Sequence, residues 1–304
     1  MLNYVIINTG DVMHKNNINL NLYKAFYDVA RYGSFSKAAQ FTFSTQPSIS
    51  KQIKNLENQL ETELFYRKSN GVELTEKGKE LLFYIEKAYG NILTAERIML
   101  ETDNLSRGKL SIGMPSNMYK FIIESIKDFN TKYPNIEITI MTGTTTYLMN
   151  QLDMHKIDLI IDTLPINDMN NDIVVETIKE MNYCFISNKN ENVKRLKDLE
   201  NYSLILPISG TNNREVLDEL LFKNDITLNN VINIHTSELI IDSVKANMGI
   251  GYILEGLVKD DSNINVLNIK EKLPIAKLAL IYNKKFLTSA PRKFIESYIK
   301  TDMK

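Results

Sequence analysis

The chain has 304 residues, 43% of them hydrophobic and 24% charged, with a formal net charge of −1. That length predicts two domains of unequal size with a connector, and no apolar run approaches the roughly 20 residues that span a bilayer, so the composition is that of a soluble, cytoplasmic protein with no membrane partner. With charge so nearly balanced, any nucleic-acid surface must come from local placement, and the lone Cys184 excludes an internal disulfide and a multi-cysteine zinc site.

The opening stretch to Met13 holds a short apolar patch from Tyr4 to Ile7, without a basic leader, a long apolar core or a small-residue cleavage site. It reads as a disordered extension over residues 1–18, with Met13 as an alternative start. Between Lys24 and Lys54 the bases are Lys24, Arg31, Lys37, Lys51 and Lys54, while Asp28 is the only acid.

Leu22, Phe26 and Val29 recur at helical spacing from Leu20 to Tyr32, and Gly33 and Ser34 then stop the helix. Ser36 is the expected cap of a second short helix carrying Ala38 and Ala39, with Phe41 and Phe43 expected to plug the core after it. Thr45 is the expected N-cap of a third helix, with Pro47 in its first turn and a buried stripe at Ile49, Ile53, Leu56 and Leu60. Its opposite face displays Gln46, Ser48, Ser50, Lys51 and Lys54, small polar donors and bases where a solvated face usually carries carboxylates. Gln pairs bidentately with adenine, Ser serves base edges or phosphates, and Lys neutralises phosphate. Taken alone, this helix suits a plain bundle as well as a recognition helix in a major groove.

From Phe65 to Leu74 apolar ends flank an Asn-Gly turn, the pattern of a short hairpin, whose Arg67 and Lys68 form a basic wing. With Ser36, Lys37 and Pro47, these residues and the polar face of the third helix make up the candidate DNA-binding set.

The string Phe26, Gly33, Ser34, Phe35, Ser36, Ala38, Ala39, Gln46, Pro47, Ser48, Ile49, Ser50, Gln52, Ile53, Leu56, Glu57, Leu64, Phe65, Arg67, Leu74, Thr75 and Gly78 resembles, in order and spacing, the N-terminal signature of LysR-type transcriptional regulators. The resemblance implies an all-α winged helix-turn-helix domain, here residues 19–76, on double-stranded operator DNA. Two positions depart from it: Glu61 stands where the family commonly has glycine, and Phe43 where leucine is usual.

Thr75 and Glu76 begin a further helix expected to run to about Thr102, the dimerisation linker of residues 77–106. Leu81, Ile85, Ala88, Ile92, Ala95 and Met99 alternate steps of four and three, which implies a seam against another helix. Packing on its own domain is the alternative; a two-fold dimer matching a palindromic operator favours a partner chain. The resemblance implies the same, with dimers pairing into tetramers, and leaves RNA polymerase open as a further partner.

After Arg107, strands and helices alternate: strands at 109–114, 136–140, 159–161, 184–187, 204–207, 231–234, 250–254, 262–269 and 278–282, with helices between them and one at the end. This predicts a parallel α/β sheet in two lobes joined by crossing strands, the fold of periplasmic binding proteins. Residues 107–304 look like a LysR-type effector domain, with lobe I at about 108–163 and 267–304 and lobe II at about 164–266.

In such sheets ligands sit beyond the carboxyl ends of the strands, at helix N-termini. Ser116, Thr144, Thr145, Thr163, Ser209, Thr211 and Ser237 fall there, with Arg214 near one helix start, and together they are the candidate effector-binding set, suited to a small carboxylate or other anion. Each hydroxyl taken singly is more readily an N-cap, and it is their convergence at five strand ends that favours a pocket. The resemblance also implies the mechanism: an effector binding between the lobes shifts lobe and dimer geometry and so alters DNA bending and transcription. His14, His155 and His235 stand apart without ligand spacing and no glycine-rich phosphate loop occurs, so no catalysis, cofactor or metal is expected.

Overall fold

A computed structural model describes residues 18–68, 71–100, 105, 107–166, 172–259 and 261–302. Most of the expected N-terminal extension, the centre of the 65–74 turn and the expected end of the linker helix at Thr102 lie outside them. The chain divides into two compact units, residues 1–90 and 91–304.

In the first unit, α1 (Leu20–Tyr32) is capped by Asn19, whose side chain accepts from the Asn21 amide, and ends on Gly33 in the left-handed conformation with its N–H on the Val29 carbonyl. α2 (Phe35–Phe41) is capped by Ser34, which displaces Ser36 from that expected role. α3 (Gln46–Leu60) begins at the Thr45 cap with Pro47 in its first turn, where no N–H is needed. Phe26, Ile53, Leu56 and Leu64 form the fully buried centre, and Ala38 and Ala39 let the short α2 sit close against its neighbours.

The expectation that Phe41 and Phe43 plug this core does not hold: they are 60% and 100% exposed. α2 is only two turns long, so its inward face is filled by the two alanines. Phe41 lies outside, stacked on Tyr32 at 4.4 Å, and the chain then reverses through Phe43 at φ +52°, which turns the ring outward.

The strands β1 (Phe65–Lys68) and β2 (Gly71–Leu74) pair antiparallel from Phe65 opposite Leu74 to Lys68 opposite Gly71. The Glu57 carboxylate accepts from the Leu64 and Phe65 amides at 2.8 and 3.3 Å and so ties α3 to the hairpin. The Val72 amide bonds the Gly33 carbonyl at 3.1 Å, fixing the wing to the end of α1. Between helix and hairpin, Glu61 adopts φ +50°, the left-handed region in which a Cβ is penalised. Glu61→Gly is therefore expected to stabilise this unit by about 1 kcal/mol, read as a higher urea midpoint, and a lower midpoint would show that the Glu61 side chain contributes more than the strain costs.

α4 (Glu76–Leu100) starts at Thr75, whose hydroxyl accepts from the Gly78 amide at 2.9 Å and donates to the Glu63 carbonyl at 2.8 Å. Gly78 admits no side chain, because a Cβ there would meet the Leu64 carbonyl oxygen at 2.2 Å. No helix among the described residues is long and apolar enough to cross a membrane.

The second unit holds β3 (Gly108–Met114), α5 (Tyr119–Lys132), β4 (Ile136–Thr142), α6 (Thr145–Asp153), β5 (Leu159–Leu164), β6 (Ile173–Ser187), β7 (Ser203–Pro207), α7 (Asn212–Lys223), β8 (Asn230–Ile234), α8 (Ser237–Lys245), β9 (Ile250–Leu254), β10 (Asn265–Val266), β11 (Ile275–Asn283) and α9 (Ser289–Asp302). Its strands run in the order β4-β3-β5-β11-β6-β9-β7-β8, with β10 on β6. β3 pairs parallel with β4 and β5, and β7 with β8 and β9, but β11 and β6 run antiparallel to their neighbours. The sheet is therefore mixed, not parallel throughout: two parallel lobes share two crossing strands.

β6 spans 15 residues where the sequence pattern marks only its last four, because Glu176, Lys179 and Glu180 interrupt the apolar run of its first part. The expected strand at 262–269 shrinks to the two residues of β10. Cys184 is buried opposite Ile253, and burial, with the Glu255 charge adding, pushes its thiol up to about 12, so it keeps its proton at neutral pH.

Candidate functional site

In the first unit, helical period turns one face of α3 outward. Gln46, Pro47, Lys51 and Lys54 are exposed, and Ser48 and Ser50 half-buried. The Ser36 hydroxyl donates to Gln46 Oε1 at 2.9 Å, which brings the starts of α2 and α3 together and leaves Lys37 exposed beside them. Lys37, Lys51 and Lys54 have no ion-pair partner among the described residues, whereas Lys24 pairs with Asp28 at 2.8 Å. On the hairpin, Arg67 lies over the Phe35 ring at 5.4 Å, and Lys68 is paired with Glu73, which removes part of the positive charge expected of the wing.

The heptad stripe of α4 divides. Leu81 and Ile85 pack on the core of their own unit, the alternative that the spacing left open, and are not free for a partner helix. Ala88, Ile92, Ala95 and Met99 are exposed, Ile92 at 44% and Met99 at 80%.

The second unit encloses a cleft of about 360 Å³. Five strand ends meet there: Ser116 and Asn117 follow β3, Thr144 and Thr145 follow β4, Asp162 and Thr163 lie in the last half of β5, Thr211 to Asn213 follow β7, and His235 to Ser237 follow β8. The hydroxyls already have partners. Thr144 caps α6 by accepting from the Tyr147 amide, Thr145 donates to Asp162 Oδ2 at 2.7 Å, and Thr211 donates to the Ile208 carbonyl at 2.9 Å. α8 is capped by Thr236, not Ser237; the Ser237 hydroxyl instead accepts from Asn117 Nδ2 at 3.4 Å, and Ser116 donates to Glu238 at 3.4 Å across the cleft mouth. Asn212 Nδ2 reaches the carbonyls of Thr163 and Pro165 at 3.0 and 2.9 Å.

Two expected site residues do not line the cleft. Ser209 is absent from its wall, and Arg214 is engaged elsewhere, its guanidinium donating to Asp218 at 2.7 Å, to the Pro207 carbonyl at 2.9 Å and to Asn233 at 2.6 Å. These neighbours hold the guanidinium against the neighbouring β8, so the cleft wall contains no lysine or arginine among the described residues.

Asp162 escapes the hydroxyl-based reading. It is 3% exposed, and its carboxylate accepts from the Thr163 amide at 2.6 Å as well as from Thr145. Burial pushes its carboxyl up to about 6 against the pull of these hydrogen bonds. Behind it, the Tyr183 hydroxyl donates to Asn213 at 2.6 Å; burial, with the Asp162 charge adding, raises that phenol well above its usual range. A carboxylate ending the apolar run Leu159, Ile160, Ile161 was the readable signal for this residue.

Two family models match the chain. Residues 20–79 match the bacterial regulatory helix-turn-helix protein, lysR family, and residues 103–301 match the LysR substrate binding domain. The HTH-type transcriptional regulator SoxR of Arthrobacter sp. is 29% identical over 276 residues, covering 90% of this chain and 93% of that protein. Among solved structures, a full-length single-residue variant of OxyR from Pseudomonas aeruginosa aligns at a TM-score of 0.70 and 18% identity over 94% of this chain and 95% of that one. Full-length CbnR complexed with its target DNA aligns at 0.55 and 17% identity, over 94% of this chain and all of that one (100%).

Proposed function

Because this chain belongs to the LysR family of DNA-binding transcriptional regulators, we propose that the exposed polar face of α3 reads operator DNA and that a small molecule in the cleft modulates it. The observation that carries the DNA reading is the start of α3, where Gln46, Ser50, Lys51 and Lys54 face outward with no carboxylate paired to either lysine among the described residues. A structural neighbour, full-length CbnR, is solved in complex with its target DNA, which supports DNA as the partner. Gln46 and Ser50 are assigned to base edges, and Ser36, Lys37, Ser48, Lys51, Lys54, Arg67 and Lys68 to phosphates, with Pro47 setting the helix start.

We assign residues 19–76 to DNA binding, 77–106 to the dimerisation linker and 107–304 to effector binding, a division supported by the matched segments 20–79 and 103–301. The exposed Ala88, Ile92, Ala95 and Met99 are the part of α4 available to a second copy, in a dimer or a pair of dimers. Operator DNA puts the work of this protein in the cytoplasm; it acts by binding, not catalysis, with RNA polymerase as a partner at the promoter.

Mobility shift on DNA upstream of its own reading frame, across a salt series, tests the reading. Lys51→Ala is expected to weaken binding to all duplexes and to reduce the salt slope by about 1, whereas Gln46→Ala is expected to lower selectivity for the operator by about tenfold or more. Equal losses on operator and random DNA for Gln46→Ala would reject its assignment to a base edge.

A further inference from the structure

Asp162 lies two residues before the end of β5, a strand whose other positions are apolar or hydroxyl-bearing, and it lines the cleft while 3% exposed. An ionised carboxylate has about four acceptor positions, and the Thr145 hydroxyl with the Thr163 amide and side chain fill three, all of them neutral donors. No lysine, arginine or histidine pairs with it among the described residues, and the other titratable groups around the cleft are His235, Glu238 and, behind the wall, Tyr183. Buried charges in proteins are paired or bind a cation, so this carboxylate at the cleft wall lacks the countercharge that a ligand would bring.

The opposite polarity lies within reach. α7 has no side-chain cap, because the Thr211 hydroxyl is turned onto the Ile208 carbonyl, and this leaves the first-turn amides of Asn212 and Asn213 open at the positive end of a 12-residue helix. The hydrogen bond from Asn212 Nδ2 to the Thr163 carbonyl at 3.0 Å sets that helix start beside the residue next to Asp162.

We propose that the cleft takes a small zwitterion of the α-amino acid class, its protonated amine seated on Asp162 and its carboxylate on the open amides at the start of α7. This assignment rests on the reading of the cleft as the effector site. A volume of about 360 Å³ suits a molecule of that size. Seating an ammonium on Asp162 draws its carboxyl down from about 6, so binding near pH 6 releases a proton.

The test uses the full chain, with thermal unfolding and calorimetry against the common L-amino acids, their deaminated carboxylates (4-methylpentanoate for leucine, 3-phenylpropanoate for phenylalanine), their decarboxylated amines, and magnesium or manganese. At least one amino acid is expected to raise the unfolding midpoint by about 5 °C while its two truncated partners do not, and Asp162→Asn is expected to weaken it about 100-fold. Its binding heat at pH 6 is expected to vary with the ionisation heat of the buffer. The assignment is overturned if deaminated carboxylates, amines or metal ions alone bind, if Asp162→Asn leaves amino-acid affinity unchanged, or if nothing binds in any arm. Ser237→Trp, which fills the cleft, separates the two readings. Carboxylate binding lost in Ser237→Trp but kept in Asp162→Asn removes only the amino-acid class, whereas binding that survives both variants removes the cleft as the effector site.

Discussion

Replacing Asp158 by alanine is expected to cost about 3 kcal/mol of stability in the unit spanning residues 91–304. This carboxylate, 4% exposed, accepts from Arg97 Nη2 at 2.7 Å and from the Ser111 amide at 2.8 Å. The Asp158 amide in turn donates to the Ser111 carbonyl at 2.8 Å, so one residue joins the end of α4 to β3 and to the start of β5. Alanine would strand a guanidinium that is only 30% exposed and leave a strand amide without its acceptor, and each loss costs free energy that water repays in part. Urea unfolding of the full chain reads the effect in the transition of that unit. A loss below about 1 kcal/mol would show that solvent replaces the carboxylate at both donors.

Four residues further on, inside β5, the opposite sign is expected. Asp162→Asn should raise stability at neutral pH by an amount on the order of 1–3 kcal/mol, and by almost nothing near pH 4. Both aspartates are buried, but Asp158 has a guanidinium, whereas Asp162 has only the neutral donors of Thr145 and of the Thr163 amide and side chain. Burial raises the Asp162 carboxyl from an ordinary 3.8 to about 6. Between those two values the folded state holds a proton that the unfolded state has released. Wild-type stability therefore falls as pH rises through that window and stays lowered above it. Asparagine has no charge to bury, so the gap between variant and wild type should open across pH 4–6 and then remain constant. Unfolding midpoints at about pH 4.5 and 7.5 check it, and a variant less stable at both would show that the Asp162 charge is already compensated in the folded chain. A stabilised variant that also loses ligand would mark Asp162 as a group kept for binding at a cost to the fold.

Helix positions were legible where the determinants are local. α1 spans Leu20–Tyr32 as its apolar period and Gly33 require, and α3 follows the Thr45 cap. Which of two adjacent serines caps α2 was not legible, because Ser34 and Ser36 offer the same hydroxyl and only the path of the chain out of Gly33 selects between them. Phe41 and Phe43 were misplaced for a related reason: hydrophobicity favours burial, but two turns of helix offer no inward position beyond Ala38 and Ala39.

What the sequence alone determined is the DNA-binding module and the family, since a period of 3.6 residues dictates which side chains of α3 leave the core, and a signature spread over residues 20–78 depends on order and spacing only. It also placed hydroxyls at five strand ends. The character of the cleft was decided by tertiary contacts. Arg214 stands at a helix start in sequence, but Asp218, Asn233 and the Pro207 carbonyl hold it away from the cleft, while Asp162, which reads as the end of an apolar strand, comes to line it. Side-chain charge is written in the chain; which charges share a cavity, and which are cancelled by a neighbour from another strand, is settled only when distant segments pack.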